Sequence, residues 1–329
     1  MEVQPSVPES RNGLHWIAKH HADLCLLLTS LLWGINIPVV KFAASNMDAL
    51  AFNALRMVLS TTTLGFILWL EFSFSRRQDR SNESKQLDSN QLETRNRFTP
   101  SAIVLVIVFS LLSGLIYPLA FMHGIHRTTA GNTALLLASM PMWTALLSMI
   151  FLAERLVRLT WIGLIVTFVG TALIIQAKGS IDLSGVYLLG NLLILLGALV
   201  WAAATVVSTP ILKFVSPLKL AFVSAFLTTP IHLVMNYESI ADQWQILRRY
   251  DVLASLLFSG ILSTGVAYAT WHYGVRKLGG SHAAAYQNLV TMVAVIISWV
   301  VLAEPVLSLQ IIGGAIAIVG LFILRQGRR

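Results

Sequence analysis

One guanidinium, Arg56, stands in an otherwise uncharged apolar run at residues 49–70. Such a group offers a planar fork of N–H donors matched to a carboxylate or a phosphate. It can also snorkel its charge to a polar boundary or pair structurally. Glu154 and Glu304 end two copies of a Leu-Ala-Glu triplet. They read as helix-end anchors or as gates, and Glu154 can pair with Arg158 one turn on. Gln287 and Asn288 place adjacent amides in an apolar block, where each must bind a ligand or bond a neighbouring helix. Trp33 and Asn36 crowd near Pro38, and Tyr117 lies between Gly114 and Pro118. With Trp143, Trp201 and Tyr268 they supply interior aromatic surface with polar edges.

These residues suit binding rather than bond-making. No cluster of His, Asp or Glu and no Ser–His group lies mid-span in the apolar blocks, so no catalytic residue is assigned and no enzyme is expected. His123 and His126 have i,i+3 spacing without a carboxylate nearby, so no metal is expected, and no cofactor either. His272 is the histidine best placed for a proton-linked role, because imidazole titrates near neutrality.

The elements that carry these residues are membrane helices. The chain has 329 residues, 56% hydrophobic and 12% charged. A water-soluble surface needs about twice that charge, so lipid is the expected partner. Ten apolar blocks follow, near 23–43, 49–70, 101–122, 129–153, 159–177, 186–207, 217–235, 252–273, 281–303 and 308–325. Each approaches the ~20 residues that cross a bilayer. The first is not expected to be a cleaved signal, since acidic residues precede it and no small-residue cleavage site follows. Cys25 is the single cysteine and reads as a small buried hydrophobe. With the N-terminus inside, seventeen Lys and Arg fall on inner segments and five on outer ones. That bias puts both termini, 1–22 and 326–329, in the cytoplasm of a cell with this protein in its inner or plasma membrane. It also explains the net charge of +8 without nucleic acid.

The second half repeats the first 150 residues later. Leu112 meets Leu262 and Ser113 meets Ser263, in one ungapped register that carries Glu154 onto Glu304. The same register carries Gly163 and Gly170 onto Gly313 and Gly320. The repeats are 23–177 and 186–325. Five spans per repeat is odd, so the second enters the membrane inverted, which is a carrier architecture. The glycines, with Thr167 and Ala317 between them, form small-residue stripes for close helix packing, with a dimer face as the alternative. A monomer is expected. Segment 71–99 reads as a flexible cytoplasmic loop without a counterpart. Trp16, Trp244 and Trp271 read as interfacial anchors.

The pattern resembles the drug/metabolite transporter superfamily, in its EamA-type ten-helix form. The resemblance rests on Leu32-Trp33-Gly34, Leu55-Arg56, the stretch from Ala130 through Pro141 to Leu152-Ala153-Glu154-Arg155-Leu156, and Trp161-Ile162-Gly163 with Gly170. The second half adds Trp201, Leu302-Ala303-Glu304 and Ile312-Gly313 with Gly320. It departs from symmetry where Thr291 replaces Pro141, and the 71–99 insert is long. The resemblance implies a secondary transporter, most often an exporter, of amino acids or other small amphipathic metabolites by alternating access. A sugar-phosphate or nucleotide-sugar carrier is the alternative within the superfamily, and it calls for more intramembrane Lys and Arg than Arg56.

Overall fold

The computed structural model describes residues 10–82, 100–125, 127–128, 133, 136–155, 157–176, 187–290, 292–293, 297 and 307–326. Among them the regular elements are all helical. Helix α1 (Ser10–Ala44) turns into α2 (Ala49–Asn82) at Asp48, which caps the second helix. Its Oδ1 accepts from the N–H groups of Leu50 at 3.0 Å and Ala51 at 2.9 Å, donors that a helix start leaves without carbonyls. The expected loop at 71–99 is corrected over its first part, where α2 stays helical through Asn82. Residues 71–82 hold no Gly or Pro, and Glu, Arg and Gln are good helix formers. Residues 83–99 lie outside the described residues.

Helix α3 (Pro100–Ser110) passes through a π-helical segment, Leu111–Ile116, into α4 (Tyr117–Ile125). Then come α5 (Met140–Phe151), α6 (Arg158–Gln176), α7 (Leu188–Ile211) and α8 (Pro217–Met235). Short α9 (Tyr237–Asp242) and a 3-10 turn, Trp244–Arg248, lead to α10 (Tyr250–Leu257). A second π segment, Phe258–Val266, continues into α11 (Ala267–Leu278), followed by α12 (Gly280–Ala285) and α13 (Ser308–Gln326). Six helical stretches are long and apolar enough to cross a bilayer, and α5, α6 and α13 hold shorter apolar helices. Phe66, Trp69 and Phe72 on α2, Phe151 on α5, Val234 on α8 and Ile311 and Phe322 on α13 are exposed. Apolar surface on this scale faces lipid, so the protein is an integral membrane protein.

The halves are joined by reciprocal contacts. α2 packs on the second π segment as α8 packs on the first, and α1 lies on α11 as α7 lies on α4. The same reciprocity holds atom by atom between α6 and α13. A Cβ built on Gly170 would stand 2.4 Å from Ala317 N and 2.6 Å from Gly313 O. One built on Gly320 would stand 2.5 Å from Thr167 N and 2.9 Å from Gly163 O. Each glycine thus meets the other repeat's residues three and seven positions earlier. Parallel helices in that register would hold such residues a turn or more apart, at 1.5 Å rise per residue. The pair is antiparallel about a two-fold axis, and the repeats are inverted. The stripes therefore pack inside the chain.

The two π segments are repeat mates as well. Tyr117 N–H bonds back five residues to Leu112 O, and Ala267 N–H does the same to Leu262 O. Such wide turns shift carbonyls out of the α-helical ladder. The partners come from the opposite repeat. Trp33 Nε1 donates to Ser263 O at 3.0 Å, and His232 Nε2 lies 2.8 Å from Gly114 O.

Candidate functional site

A cavity of about 860 Å³, its open side included, lies between the repeats beside the second π segment, which lends it Ser263 and Thr264. Its walls carry Trp33, Asn36, Arg56, Tyr117, Trp201, Tyr268 and Gln287, seven of the nine residues expected to bind a ligand. Trp33 and Asn36 are one turn apart on α1, so the helix period puts both on the cavity face. Phe121 stacks beside Tyr117 with ring centroids 6.0 Å apart, four residues on along α4. Leu137, Ala138, Met140, Ser263 and Thr264 complete much of the wall. Ser263 could have been found from the sequence as the repeat mate of Ser113, whereas the apolar wall has no sequence mark.

Trp143 and Asn288 are not on that wall. The Trp143 indole N–H turns back on its own helix and donates to Ser139 Oγ at 3.1 Å. Asn288 is buried one position past Gln287. Trp271 is no interfacial anchor: it is 1% exposed and stands 5.3 Å from Trp33, ring centroid to centroid. Trp33, Trp201, Trp271 and Tyr268 form one aromatic cluster, with Trp33–Trp201 edge-on at 5.4 Å. Each such contact contributes ~0.5–1.5 kcal/mol beyond area burial.

Arg56 is 8% exposed. Its Nε–H donates to Asn53 Oδ1 at 3.0 Å. Among the described residues its Nη groups make no ion pair and no further hydrogen bond, so that side of the fork stays unsatisfied at the cavity wall. Several polar atoms on the same wall are buried and lack partners among the described residues: Asn36 Oδ1, Gln287 Oε1, Ser263 Oγ and Trp201 Nε1. Buried groups of this kind cost free energy until a ligand meets them. The arrangement combines a cationic fork, two amide acceptors and aromatic faces. The third unpartnered amide oxygen among the described residues, Asn288 Oδ1, is not part of the cavity wall.

Trp33, Trp201 and Tyr268 of the cluster line the cavity. Toward the N-terminal end of α1 the repeats are tied together. Ser30 Oγ donates to Tyr286 O at 2.9 Å, and Tyr286 OH donates to Asp23 Oδ1 at 2.5 Å. Glu154 accepts from Ser281 Oγ at 2.9 Å and makes no ion pair with Arg158. The reason is local: the chain leaves α5 at Leu152, and Ala153 turns it with φ +52°, so the two side chains do not share one helix face. Glu304 lies outside the described residues. Among the described residues no group of His, Cys, Asp and Glu could hold a metal ion.

A membrane protein of two inverted helical repeats, with a polar and aromatic cavity between them, belongs to the class of membrane transporters. The chain belongs to the EamA-like transporter family, whose pattern matches residues 20–176 and again 188–326. It is 25% identical over 302 residues to the uncharacterized transporter YoaV of Bacillus subtilis (strain 168), covering 91% of this chain and 94% of that one. An uncharacterized transporter of Methanothermobacter thermautotrophicus is 24% identical over 92% of this chain and 85% of its own length. A probable terminal-alkyne amino-acid exporter of Streptantibioticus cattleyicolor is 26% identical over 61% of this chain and 66% of its own. A solved crystal structure shares the fold with TM-score 0.65 and 16% identity, covering 93% of this chain and 98% of that one.

Proposed function

We propose that the protein exports small amphipathic metabolites, amino acids above all, by alternating access. The observation that carries this reading is the buried Arg56 fork, whose Nη groups have no acceptor among the described residues, beside the unpartnered oxygens of Asn36 and Gln287. A carboxylate answers the fork as a bidentate partner. An ammonium group answers the two amide oxygens and the aromatic faces. The named amino-acid exporter among the relatives supports the same class. With the N-terminus inside, the aromatic cluster and the Asp23–Tyr286 and Glu154–Ser281 bonds close the cytoplasmic end. Rocking of the repeats would exchange that closure for one at the other face. The protein then resides in the inner or plasma membrane and works as a monomer, without a cofactor.

The test is efflux from liposomes holding the purified protein and labelled amino acids. Free amino acids should move, and the same compounds amidated at the carboxyl should lose at least about tenfold, the value of one charge-assisted contact. Equal movement of acid and amide, or preference for a sugar phosphate, would overturn the reading.

A further inference from the structure

Behind Arg56 runs a chain of three buried hydrogen bonds. Arg56 Nε–H donates to Asn53 Oδ1 at 3.0 Å, Asn53 Nδ2 lies 3.3 Å from His232 Nδ1, and His232 Nε2 lies 2.8 Å from Gly114 O. Asn53 and His232 are both 0% exposed. The roles are fixed from both ends. A carbonyl can only accept, so Nε2 carries the ring proton. A guanidinium can only donate, so the Asn53 oxygen faces Arg56 and its NH₂ faces Nδ1. Neutral His232 satisfies the whole chain.

A proton on Nδ1 breaks it. The ring would then present N–H to the Asn53 NH₂. Turning the amide over cures that clash and creates another, NH₂ against the Arg56 Nε–H. A protonated His232 and an Arg56–Asn53 bond therefore exclude each other. The elements packed against α8 are α2, α3, the first π segment and α11. α3 and the π segment carry no titratable side chain, α2 carries Arg56 within 49–70, and α11 carries Tyr268, His272, Tyr273, Arg276 and Lys277; of these the Arg56 charge is the one that acts on His232. No carboxylate lies among α2 residues 49–70 or α8. A second positive charge beside an unneutralised Arg56 is strongly opposed in a low-dielectric interior. An anion on the Arg56 fork removes that opposition.

We propose that His232 is a proton-binding site linked to the cavity through Asn53, so that an anionic group at Arg56 and a proton at His232 are bound together. The proposal rests on the cavity being the ligand site. Release from Asn53 also frees the Arg56 Nε–H, completing the fork offered to the anion. By reciprocity, the ligand raises proton affinity by the factor that the proton raises ligand affinity.

The test uses the purified full chain in phosphatidylcholine liposomes, labelled with ¹⁵N in His and Arg side chains. Methanesulfonate is the anionic probe, since its charge does not change between about pH 4 and 8 and any pH effect is the protein's. The signal lost in His232→Gln identifies His232. On acidification with probe present, that ring should pass from neutral to imidazolium, and the Arg56 Nε signal should move in the same step. Probe affinity should rise on the order of fivefold or more, the lower end of such couplings. Asn53→Ala leaves the His232–Gly114 bond in place and should separate the two signals, which a purely structural histidine would not do. A ring that stays neutral to about pH 4 with probe bound, or one that titrates without moving Arg56, would overturn the proposal. Failure of methanesulfonate to bind at any pH would count against the cavity as an anion site, and the two signals alone would then judge the relay.

Discussion

The indole N–H of Trp33 donates to Ser263 O at 3.0 Å, so a side chain of one repeat closes the wide turn of the other. Its ring meanwhile touches Trp201 and Trp271. Trp33→Phe keeps much of the ring contact and removes the donor. The stranded buried carbonyl should cost about 1–3 kcal/mol. Thermal unfolding in detergent should show a lower Tm for Trp33→Phe and a larger drop for Trp33→Leu. An unchanged Tm in the Phe variant would mean that the carbonyl finds water instead.

Gly170 and Gly320 make the next prediction. A methyl group at either would press on backbone, with Ala317 N or Thr167 N within 2.5 Å, and at Gly320 on the Thr167 hydroxyl as well. Gly170→Ala and Gly320→Ala should each destabilise by about 1–3 kcal/mol, the usual cost of overpacking. The two positions are symmetric, so their losses should be similar. Folded yield and Tm after size exclusion read this directly. Normal stability with lost transport would instead mark α6–α13 as a sliding surface.

Ala153 holds a left-handed backbone, φ +52°, with its side chain exposed. A Cβ there is strained and glycine is not. Ala153→Gly should raise stability by about 0.5–1 kcal/mol, since no packing is lost. A fall in Tm would show that the methyl group has a partner in the membrane.

Much of the site was legible in the sequence because membrane helices expose few options. Arg56 stood out as a charge with no neighbour to neutralise it, and the 150-residue register led to both the inverted pairing and the stripes. The relay behind Arg56 was not legible. Asn53 reads as one polar residue among many, and His232 reaches it from another helix, across 179 positions. The π segments were hidden because a single wide turn leaves no mark in an apolar run. Trp271 reads as an end-of-span residue because its apolar block ends near 273, whereas α11 continues to Leu278. Helical spacing pairs Glu154 with Arg158, but the helix ends at Phe151, before that spacing applies.

Orientation is tested independently of the site. A reporter active only outside the cytoplasm should stay silent when fused after Lys85 or after Arg329, given seventeen inner and five outer basic residues. Activity at either position would reverse the assignment of the closed end.

Arg56 carries the last prediction. Its charge is buried, its Nε is held by Asn53, and no carboxylate among the described residues pairs with it. An arginine that deep costs ~2.5–3.5 kcal/mol to insert, so replacement should not impair membrane insertion. Arg56→Lys keeps the charge and loses the planar fork; Arg56→Gln loses both. Both variants should fold, because Asn53 can still bond His232. Both should transport amino acids poorly, with Gln the slower by tenfold or so, the effect of ~1.4 kcal/mol. The amidated substrates should barely distinguish the variants from the parent, since they lack the group that Arg56 would meet. Liposome efflux with acid and amide side by side decides it. Near-normal transport of the free acids by Arg56→Gln would remove Arg56 from the site, and an equal loss for acids and amides would make its role structural.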